Sequence, residues 1–359
     1  MEAQISQVAA REPGALYDRF LNVRKERRLR HRDAAHELGV TEGRAIAAAV
    51  GMRGALRAVR LKGPWPEMFE QVPRLGSVLA LTRNETTVHE KDGRYEDMSH
   101  QGLIGLALGK AIDLRIFYHR WAHVYSVTED TERGEQRSLQ IFDAQGNAVH
   151  KVFLRPASDL LAWFDFIERR THESQQPGDD FTEVTTDATS VSDADVDVAA
   201  FHTAWAAMKD THEFFPLLRK FNLRRTQALR LAPTDFAHRV GNASARAMLL
   251  QAAAEGASIM CFVGNPGMIQ IHTGPVKRVE VMGSWLNVLD PGFNLHMRED
   301  LIAAAWVVKK PTSDGVVTSL ELFDSDGETM AMFFGERKPG NPELALWRSL
   351  VAGLPRLES

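Results

Sequence analysis

The sequence predicts a tandem α+β fold, with two similar units that each contain a largely antiparallel β-sheet flanked by helices. Three observations predict it: the chain matches itself at a fixed offset, each half passes from helical to alternating periodicity and back, and an acidic segment separates the halves. A chain of 359 residues is long enough to form two domain-sized cores.

The self-match is long and needs no insertion over its central part. The segment LQIFD at 139–143 corresponds to LELFD at 320–324, 181 positions later. A repeat of this length indicates duplicated domains rather than a solenoid. Four further identical pairs share the offset: Asn84 and Asn265, Gly93 and Gly274, Leu114 and Leu295, Phe153 and Phe334.

Within the first half, helical spacing extends over residues 14–72, short β-rich runs occupy 77–154, and an amphipathic closing helix is predicted over 157–170. The dipeptides Asp92-Gly93, Gln145-Gly146 and Asp326-Gly327 are typical of hairpin connections. Consecutive strands joined by hairpins run antiparallel, so the predicted sheet is largely antiparallel.

We expect an N-terminal repeat at 1–172, a flexible acidic linker at 173–199 and a C-terminal repeat at 200–359. The linker has no Lys or Arg and few apolar residues, so it buries too little surface to offset the entropy of ordering. Its acidic residues include Asp179, Asp180, Glu183, Asp187, Asp193, Asp195 and Asp197.

Composition restricts the class of protein. The single cysteine, Cys261, excludes an internal disulfide framework and fits a reducing compartment. Residues 1–12 lack the features of a secretory signal, and no run of 18 apolar residues occurs. We therefore expect a cytoplasmic protein that does not insert into membranes. No phosphate-binding loop, nucleophile elbow or carboxylate pair suggests nucleotide or hydrolase chemistry.

Two local features are open to a functional interpretation. The basic stretch at 24–32 is compatible with a nucleic-acid-binding regulator, although a solvated helix face is the simpler interpretation. After the linker, Trp205, Met208, His212 and Leu218 recur at helical spacing, which would put the imidazole on an apolar face. Pro216 predicts a helix break close to His212. Spacing alone leaves a metal ligand and a hydrogen-bonded core histidine both open.

Several stretches resemble one family. They are LTRNE at 81–85 with VHE at 88–90, DLRIF at 113–117, GSWLNVLDPGFNLH at 283–296 and KPTSDG at 310–315. Together they are similar to the bacterial haem-utilisation family of the HemS, ChuS, PhuS and HmuS type, and the resemblance extends over nearly the whole chain apart from the linker and the termini.

The resemblance implies paired structural repeats that hold haem b in a cleft between them. The family's proximal histidine lies in a Trp-x-x-Met/Leu-x-Asp-x-His pattern, which falls on Trp205 to His212 and makes His212 the expected iron ligand. The distal arginine of the family falls on Arg115, and its propionate-binding cations fall on Lys310 and Arg337. Guanidinium groups suit carboxylates of this kind.

The sequence departs from the family pattern at two cofactor-binding positions. Met332 and Phe334 occupy places where the family often has Gln and Tyr, so hydrogen bonds to the propionate edge would be lost, although both side chains would still pack on the porphyrin. A second, weaker haem site near His89 is an open alternative; a solvent-facing strand residue is the preferred interpretation of His89.

The resemblance implies a haem-binding protein for uptake and iron utilisation that delivers haem onward. Its partners would be haem itself and a haem oxygenase or the cytoplasmic side of a haem importer. The alternative is a haem-degrading enzyme that cleaves the ring and releases iron, with Arg115 as the catalytic residue.

Overall fold

The computed structural model describes residues 12–183, 191–337, 340 and 342–357. These residues fall in two compact units. Among the described residues, unit 1 comprises 12–83, 90–183 and 265–270, and unit 2 comprises 84–89, 191–264 and the described part of 271–357. In the described part of the chain, no helix combines the length and apolar character needed to span a bilayer.

Unit 1 places helices before and after a series of antiparallel strands. Its helices are α1 (Pro13–Arg27), α2 (His31–Glu37), α3 (Glu42–Ala47), α4 (Trp65–Phe69) and α5 (Leu160–Arg170). Its strands are β1 (Leu56–Arg60), β2 (Gly76–Arg83), β4 (Met98–Gln101), β5 (Ile104–Leu108), β6 (Asp113–Phe117), β7 (His123–Thr131), β8 (Gly134–Phe142) and β9 (Ala148–Ser158). The strands pair in the orders β1-β7-β8-β9-β2 and β4-β5-β6.

Unit 2 repeats this arrangement. Its helices are α6 (Val198–Ala206), α7 (Phe214–Lys220), α8 (Arg225–Leu231), α9 (Ser244–Glu255) and α10 (Ala345–Ala352). Its strands are β10 (Ala237–Val240), β11 (Ser258–Asn265), β13 (Val279–Met282), β14 (Trp285–Asp290), β15 (Phe293–Arg298), β16 (Ala304–Thr312), β17 (Gly315–Phe323) and β18 (Thr329–Gly335). They pair in the orders β10-β16-β17-β18-β11 and β13-β14-β15.

The two strand orders correspond position by position, which confirms the predicted tandem α+β fold with largely antiparallel sheets. The remaining strands, β3 (Thr87–Gly93) and β12 (Met268–Pro275), each contain residues of both units. Equivalent side chains also keep equivalent roles. The Asn84 Oδ1 atom accepts from the backbone N–H of Thr86, and the Asn265 Oδ1 atom accepts from that of Gly267.

Two of the three predicted hairpin turns are confirmed. Gln145-Gly146 connects β8 to β9, and Asp326-Gly327 connects β17 to β18. The prediction for Asp92-Gly93 is wrong, because both residues lie in β3. Glycine is needed there for a close approach: a Cβ at Gly93 would lie 2.5 Å from the Cβ of Ala111.

Strand β1 was missed within the region predicted to be helical. It is only five residues long, and two of its residues are arginine, so its alternation is weak. It forms nonetheless because β7 offers a free edge: Leu56 pairs with Glu129 and Arg60 pairs with Tyr125. Pairing with a distant strand therefore decided this element.

The described first part of the predicted linker, residues 173–183, belongs to unit 1 and makes specific contacts with its strands. Arg60 donates through Nε to Asp179, at 2.9 Å, and through Nη1 to the carbonyl oxygen of Ser174, at 2.8 Å. The Tyr125 hydroxyl also donates to Asp179, at 2.7 Å. Asp187 lies outside the described residues. The boundaries of the linker and its flexibility stay predictions.

Strand β17, the central strand of the group β10-β16-β17-β18-β11, is covered on both faces. Residues 317–323 of β17 are all buried, and their side chains alternate between two hydrophobic clusters. Leu320 and Leu322 pack in the cluster that contains Trp347 of α10, whereas Phe323 packs in the cluster formed by α6, α7 and α8. Because side chains alternate along a strand, Glu321 faces the same side as Phe323.

Candidate functional site

The predicted helix break next to His212 is confirmed. Helix α6 ends at Ala206, a 3-10 turn occupies Thr211–Glu213, and α7 begins at Phe214. Pro216 lies in the first turn of α7, where its missing N–H has no helical acceptor to lose. The apolar helix face proposed for His212 is therefore wrong: its side chain is 89% exposed.

Asp210 holds His212 in one orientation. The Asp210 Oδ1 atom accepts from the backbone N–H of His212 at 2.8 Å and lies 2.6 Å from the imidazole Nδ1. When Nδ1 carries the shared proton, the lone pair is on Nε2, the nitrogen that can ligate a metal. The hydrogen bonds from the His212 backbone and ring lower the pKa of Asp210, and the nearby Arg337 adds to this effect.

Phe214 connects the His212 turn to a buried group of charges. Its ring is buried, with the Lys310 Nζ atom 4.7 Å and the Arg225 guanidinium carbon 5.1 Å from the ring centroid. These distances are within the range of cation–π attraction. His212, whose imidazole is exposed, is thus only two residues away in the sequence from the aromatic ring that both cations contact.

This group consists of the buried Lys310 and Glu321 and the half-buried Arg225. The Glu321 side chain is fully buried; its carboxylate accepts from Lys310 Nζ at 2.7 Å and from Arg225 Nε and Nη2 at 2.7 and 2.8 Å. The Ser319 hydroxyl donates to the same carboxylate at 2.8 Å. Two cations surround one anion, so the group carries one surplus positive charge while Lys310 is protonated.

Electrostatics within this group follow from burial and from the pairing. Burial alone would raise the pKa of Glu321, but Arg225 and Lys310 hold it well below its usual range. Burial lowers the pKa of Lys310 to about 8, with Glu321 acting in the opposite direction. The Lys310 side chain is 4% exposed and that of Arg225 is 23% exposed, so Arg225 is the more accessible cation.

Strand β18 supplies the other predicted residues of this unit. Met332 and Phe334 are half-buried neighbours on one strand face. The Met332 sulfur lies 3.3 Å from Arg225 Nη2, and the Phe334 ring meets the Phe262 ring edge to face at 5.0 Å. Met332 is therefore apolar surface beside Arg225, and Phe334 continues that surface along the same strand face.

Arg337 follows the end of β18 and makes a weak internal ion pair. Its Nη2 atom lies 3.4 Å from the Asp314 carboxylate, which also accepts from the backbone N–H of Gly340 at 3.0 Å. Both partners of the pair are partly exposed. Arg337 therefore differs from Lys310, whose partner is fully buried.

Unit 1 contains Arg115, which lies on β6 and is half-buried. It donates through Nη1 to the carboxylate of Asp113, two residues earlier on the same strand face, and to the carbonyl oxygen of Leu114 at 3.2 Å. These contacts hold the guanidinium close to its own strand, with donors left over because arginine has five.

The structure corrects the interpretation of His89. It was expected on a solvent-facing strand side, but it is fully buried, with its ring 5.1 Å from that of Phe293. In β3 the buried positions are Thr87, His89 and Lys91, so the alternation points His89 inward. The described residues contain no group of three His, Cys, Asp or Glu side chains that would hold a metal ion by themselves.

Sequence reasoning missed Arg225 and Glu321 as members of this site. Glu321 lies in the LELFD segment at 320–324, whose match at 139–143 indicates the repeat, and Arg225 lies in none of the motifs identified above. A glutamate between Leu320 and Leu322 in a buried strand was the available signal, since a buried carboxylate requires a cationic partner. The partner, 96 positions away, had no local signal.

Comparisons with known proteins agree on one group of relatives. The model of the haemin-degrading HemS.ChuX domain matches residues 39–169 and 222–354. The hemin transport protein HemS of Yersinia enterocolitica is 38% identical over 346 residues, which cover 95% of this chain and 97% of that protein.

Solved structures of similar length also match. Holo-PhuS, a haem-binding protein from Pseudomonas aeruginosa, is 46% identical with a TM-score of 0.93, over 96% of this chain and 100% of that one. ChuS, an Escherichia coli haem oxygenase, is 38% identical with a TM-score of 0.85, over 94% of this chain and 99% of that one.

Proposed function

This chain belongs to the HemS/ChuX family of haemin-handling proteins, and from that premise we propose that it binds haem b through His212 and delivers it onward for iron utilisation. The observation that carries the proposal is the Asp210–His212 pair, which presents an oriented, exposed imidazole two residues before Phe214, whose ring contacts both cations of a group with one surplus positive charge. The relative PhuS is a haem-binding protein, which supports haem as the ligand.

The chemistry of these residues fits haem. A neutral imidazole is a usual axial ligand of haem iron, and Nε2 of His212 is the nitrogen available for it. Haem also carries two carboxylates on an apolar ring. Unit 2 offers cations for the carboxylates in Arg337, Arg225 and Lys310, and apolar surface for the ring in Met332 and Phe334.

Arg225 and Arg337 are the cations that we assign to direct carboxylate contact, because their guanidinium groups are partly exposed. Lys310 is buried against Glu321, so we assign it to the surplus charge of the group and to the position of Arg225. Attraction between this surplus charge and a propionate is strengthened by the low dielectric of the surroundings.

Delivery requires release as well as binding. Each cation already has an internal carboxylate partner, so releasing haem leaves no buried charge without compensation. We propose a cytoplasmic location, with a haem oxygenase or the cytoplasmic side of a haem importer as partner. The relative HemS of Yersinia enterocolitica is a hemin transport protein, which supports handling of haem in transit.

Haem degradation is the second candidate, supported by the similarity to ChuS, which is a haem oxygenase. When bound, haem would supply the redox chemistry for ring cleavage. Arg115 is the residue that we assign to catalysis, because its guanidinium would donate a hydrogen bond where negative charge develops. Asp113 would keep this side chain on its strand.

A haem titration followed by optical spectroscopy tests the proposal, using the wild type and His212→Ala. We expect a saturable Soret band in the wild type that the substitution shifts or abolishes. Addition of a reductant under air then separates the candidates: an unchanged band indicates a carrier, and loss of the band with a stable linear tetrapyrrole indicates an enzyme. In that case Arg115→Met should slow the loss. If no saturable band forms, the proposed function is wrong.

A further inference from the structure

We propose that Asp210 is a positioning residue that makes His212 a stronger electron donor and thereby favours ferric over ferrous haem. The inference rests on the proposed function, because it concerns the effect of one carboxylate on the expected iron ligand. It adds a property that ligand identity alone does not determine, namely the oxidation state in which haem is held.

The geometry gives Asp210 control of the ring. A single oxygen, Oδ1, accepts from both the backbone N–H and the Nδ1 of His212, at 2.8 and 2.6 Å. The first bond fixes the 3-10 turn at Thr211–Glu213, and the second fixes the imidazole relative to that turn. The orientation therefore exists before any ligand arrives.

Little else restrains the imidazole. Its side chain is 89% exposed, and among the described residues Asp210 is the group that hydrogen-bonds to the ring. Helix α6 has ended by Ala206, so the ring gains no support from helical packing. The carboxylate is thus the group whose loss should change both the direction and the electronic character of the ligand.

The electronic effect follows from the charge of the acceptor. A carboxylate that accepts the Nδ1 proton draws it away from the ring and raises the basicity of Nε2. A more basic ligand stabilises the more highly charged iron, so the ferric state gains more than the ferrous state. Axial-ligand environment is one of the main controls of haem potential.

The alternative is that Asp210 only caps the turn, and Asp210→Asn separates the two roles. The asparagine keeps an Oδ1 acceptor for both bonds but removes the negative charge. Asp197→Asn is a matched control, because Asp197 is an exposed acidic cap of α6 whose Oδ1 accepts from Ala200 N at 2.9 Å and pairs with no histidine in the described part of the chain.

The experiment measures the midpoint potential and the ferrous iron–histidine stretching band of the haem-loaded full-length chain. For Asp210→Asn we expect about a tenfold weaker preference for ferric haem, which is a rise of about 59 mV in a one-electron potential, and a lower stretching frequency. Asp197→Asn should leave both unchanged.

Unchanged potential and frequency in Asp210→Asn would overturn the inference and leave Asp210 as a turn cap. That result is distinct from failure of the proposed function, in which His212→Ala would leave the wild-type haem spectrum unaltered. Asp210→Ala, which removes both hydrogen bonds, should lower ferric haem affinity more than Asp210→Asn; equal affinity in the two variants would also contradict a role in orienting the ring.

Discussion

Lys310 Nζ lies 2.7 Å from Glu321 Oε1 across neighbouring strands β16 and β17, and both side chains are buried. We predict that Glu321→Gln destabilises the protein by about 3 kcal/mol, because the buried Lys310 and the half-buried Arg225 would lose their shared anion. Urea unfolding measures the change. Glu328→Gln, an exposed substitution on the following turn, should stay within about 0.5 kcal/mol of wild type. A loss below about 1 kcal/mol for Glu321→Gln would contradict the assigned role.

The ion pair between Arg337 and Asp314 predicts a competition with haem. Asp314 holds the Arg337 guanidinium through one 3.4 Å contact, and a haem carboxylate would replace it. Asp314→Asn should therefore tighten haem binding by about threefold, which corresponds to a partly exposed ion pair. Stopped-flow transfer of haem to apomyoglobin gives the release rate. In an Arg337→Met background the same substitution should have no effect; equal tightening there would exclude the competition.

The two departures from the family pattern predict a gain of function. Met332→Gln would add a hydrogen-bonding group beside Arg225, and Phe334→Tyr would add one on the same strand face, so each should strengthen haem binding by about fivefold. The measurement is a titration with haem and with its dimethyl ester, which lacks the anionic carboxylates. Improvement that is equally large for the ester would show that packing, not hydrogen bonding, is responsible.

A buried histidine in unit 1 predicts the acid sensitivity of the fold. The His150 ring lies between the Tyr95 hydroxyl, 2.6 Å from Nε2, and the Thr82 hydroxyl, 2.8 Å from Nδ1. Burial lowers the pKa of His150 to about 3. The unfolded chain, with a pKa near 6.5, therefore binds a proton between these values that the folded chain does not, and stability falls as pH falls through that window.

Between pH 7 and pH 5 this histidine should account for about 2 kcal/mol of lost stability. Urea unfolding of wild type and His150→Gln at the two pH values measures it, because the glutamine variant lacks the titrating group. His119→Gln, at an exposed position, should retain the wild-type pH dependence. If His150→Gln loses as much stability as wild type between pH 7 and pH 5, His150 is not the responsible group.

Much of the fold follows from local patterns. The 181-residue offset predicted that strands would recur in a second unit, and β7, β8 and β9 have their counterparts in β16, β17 and β18. The break before α7 followed from Pro216, since proline acts on the backbone within a few residues. Local sequence patterns predict such features because the interactions that produce them join residues that are close in the sequence.

The errors have a common origin in long-range packing. Gly93 resembled a turn residue, but it is required by the approach of Ala111. His89 resembled a solvent-facing residue, but alternation in β3 buries it next to Phe293, more than 200 positions later. Strand β1 exists because β7 has an edge to pair with. None of these partners is visible in a local window of sequence.

By itself the sequence determined the duplication, the alternating strands, the interrupted helix and, through the resemblance, the choice of His212. Only the tertiary structure decided that Lys310 is buried against Glu321, that Arg225 completes the pair from 96 positions away, and that His212 is exposed. The physical reason is that periodicity specifies which residues share a face, whereas the elements that pack on that face determine burial, and burial determines the strength of each charge.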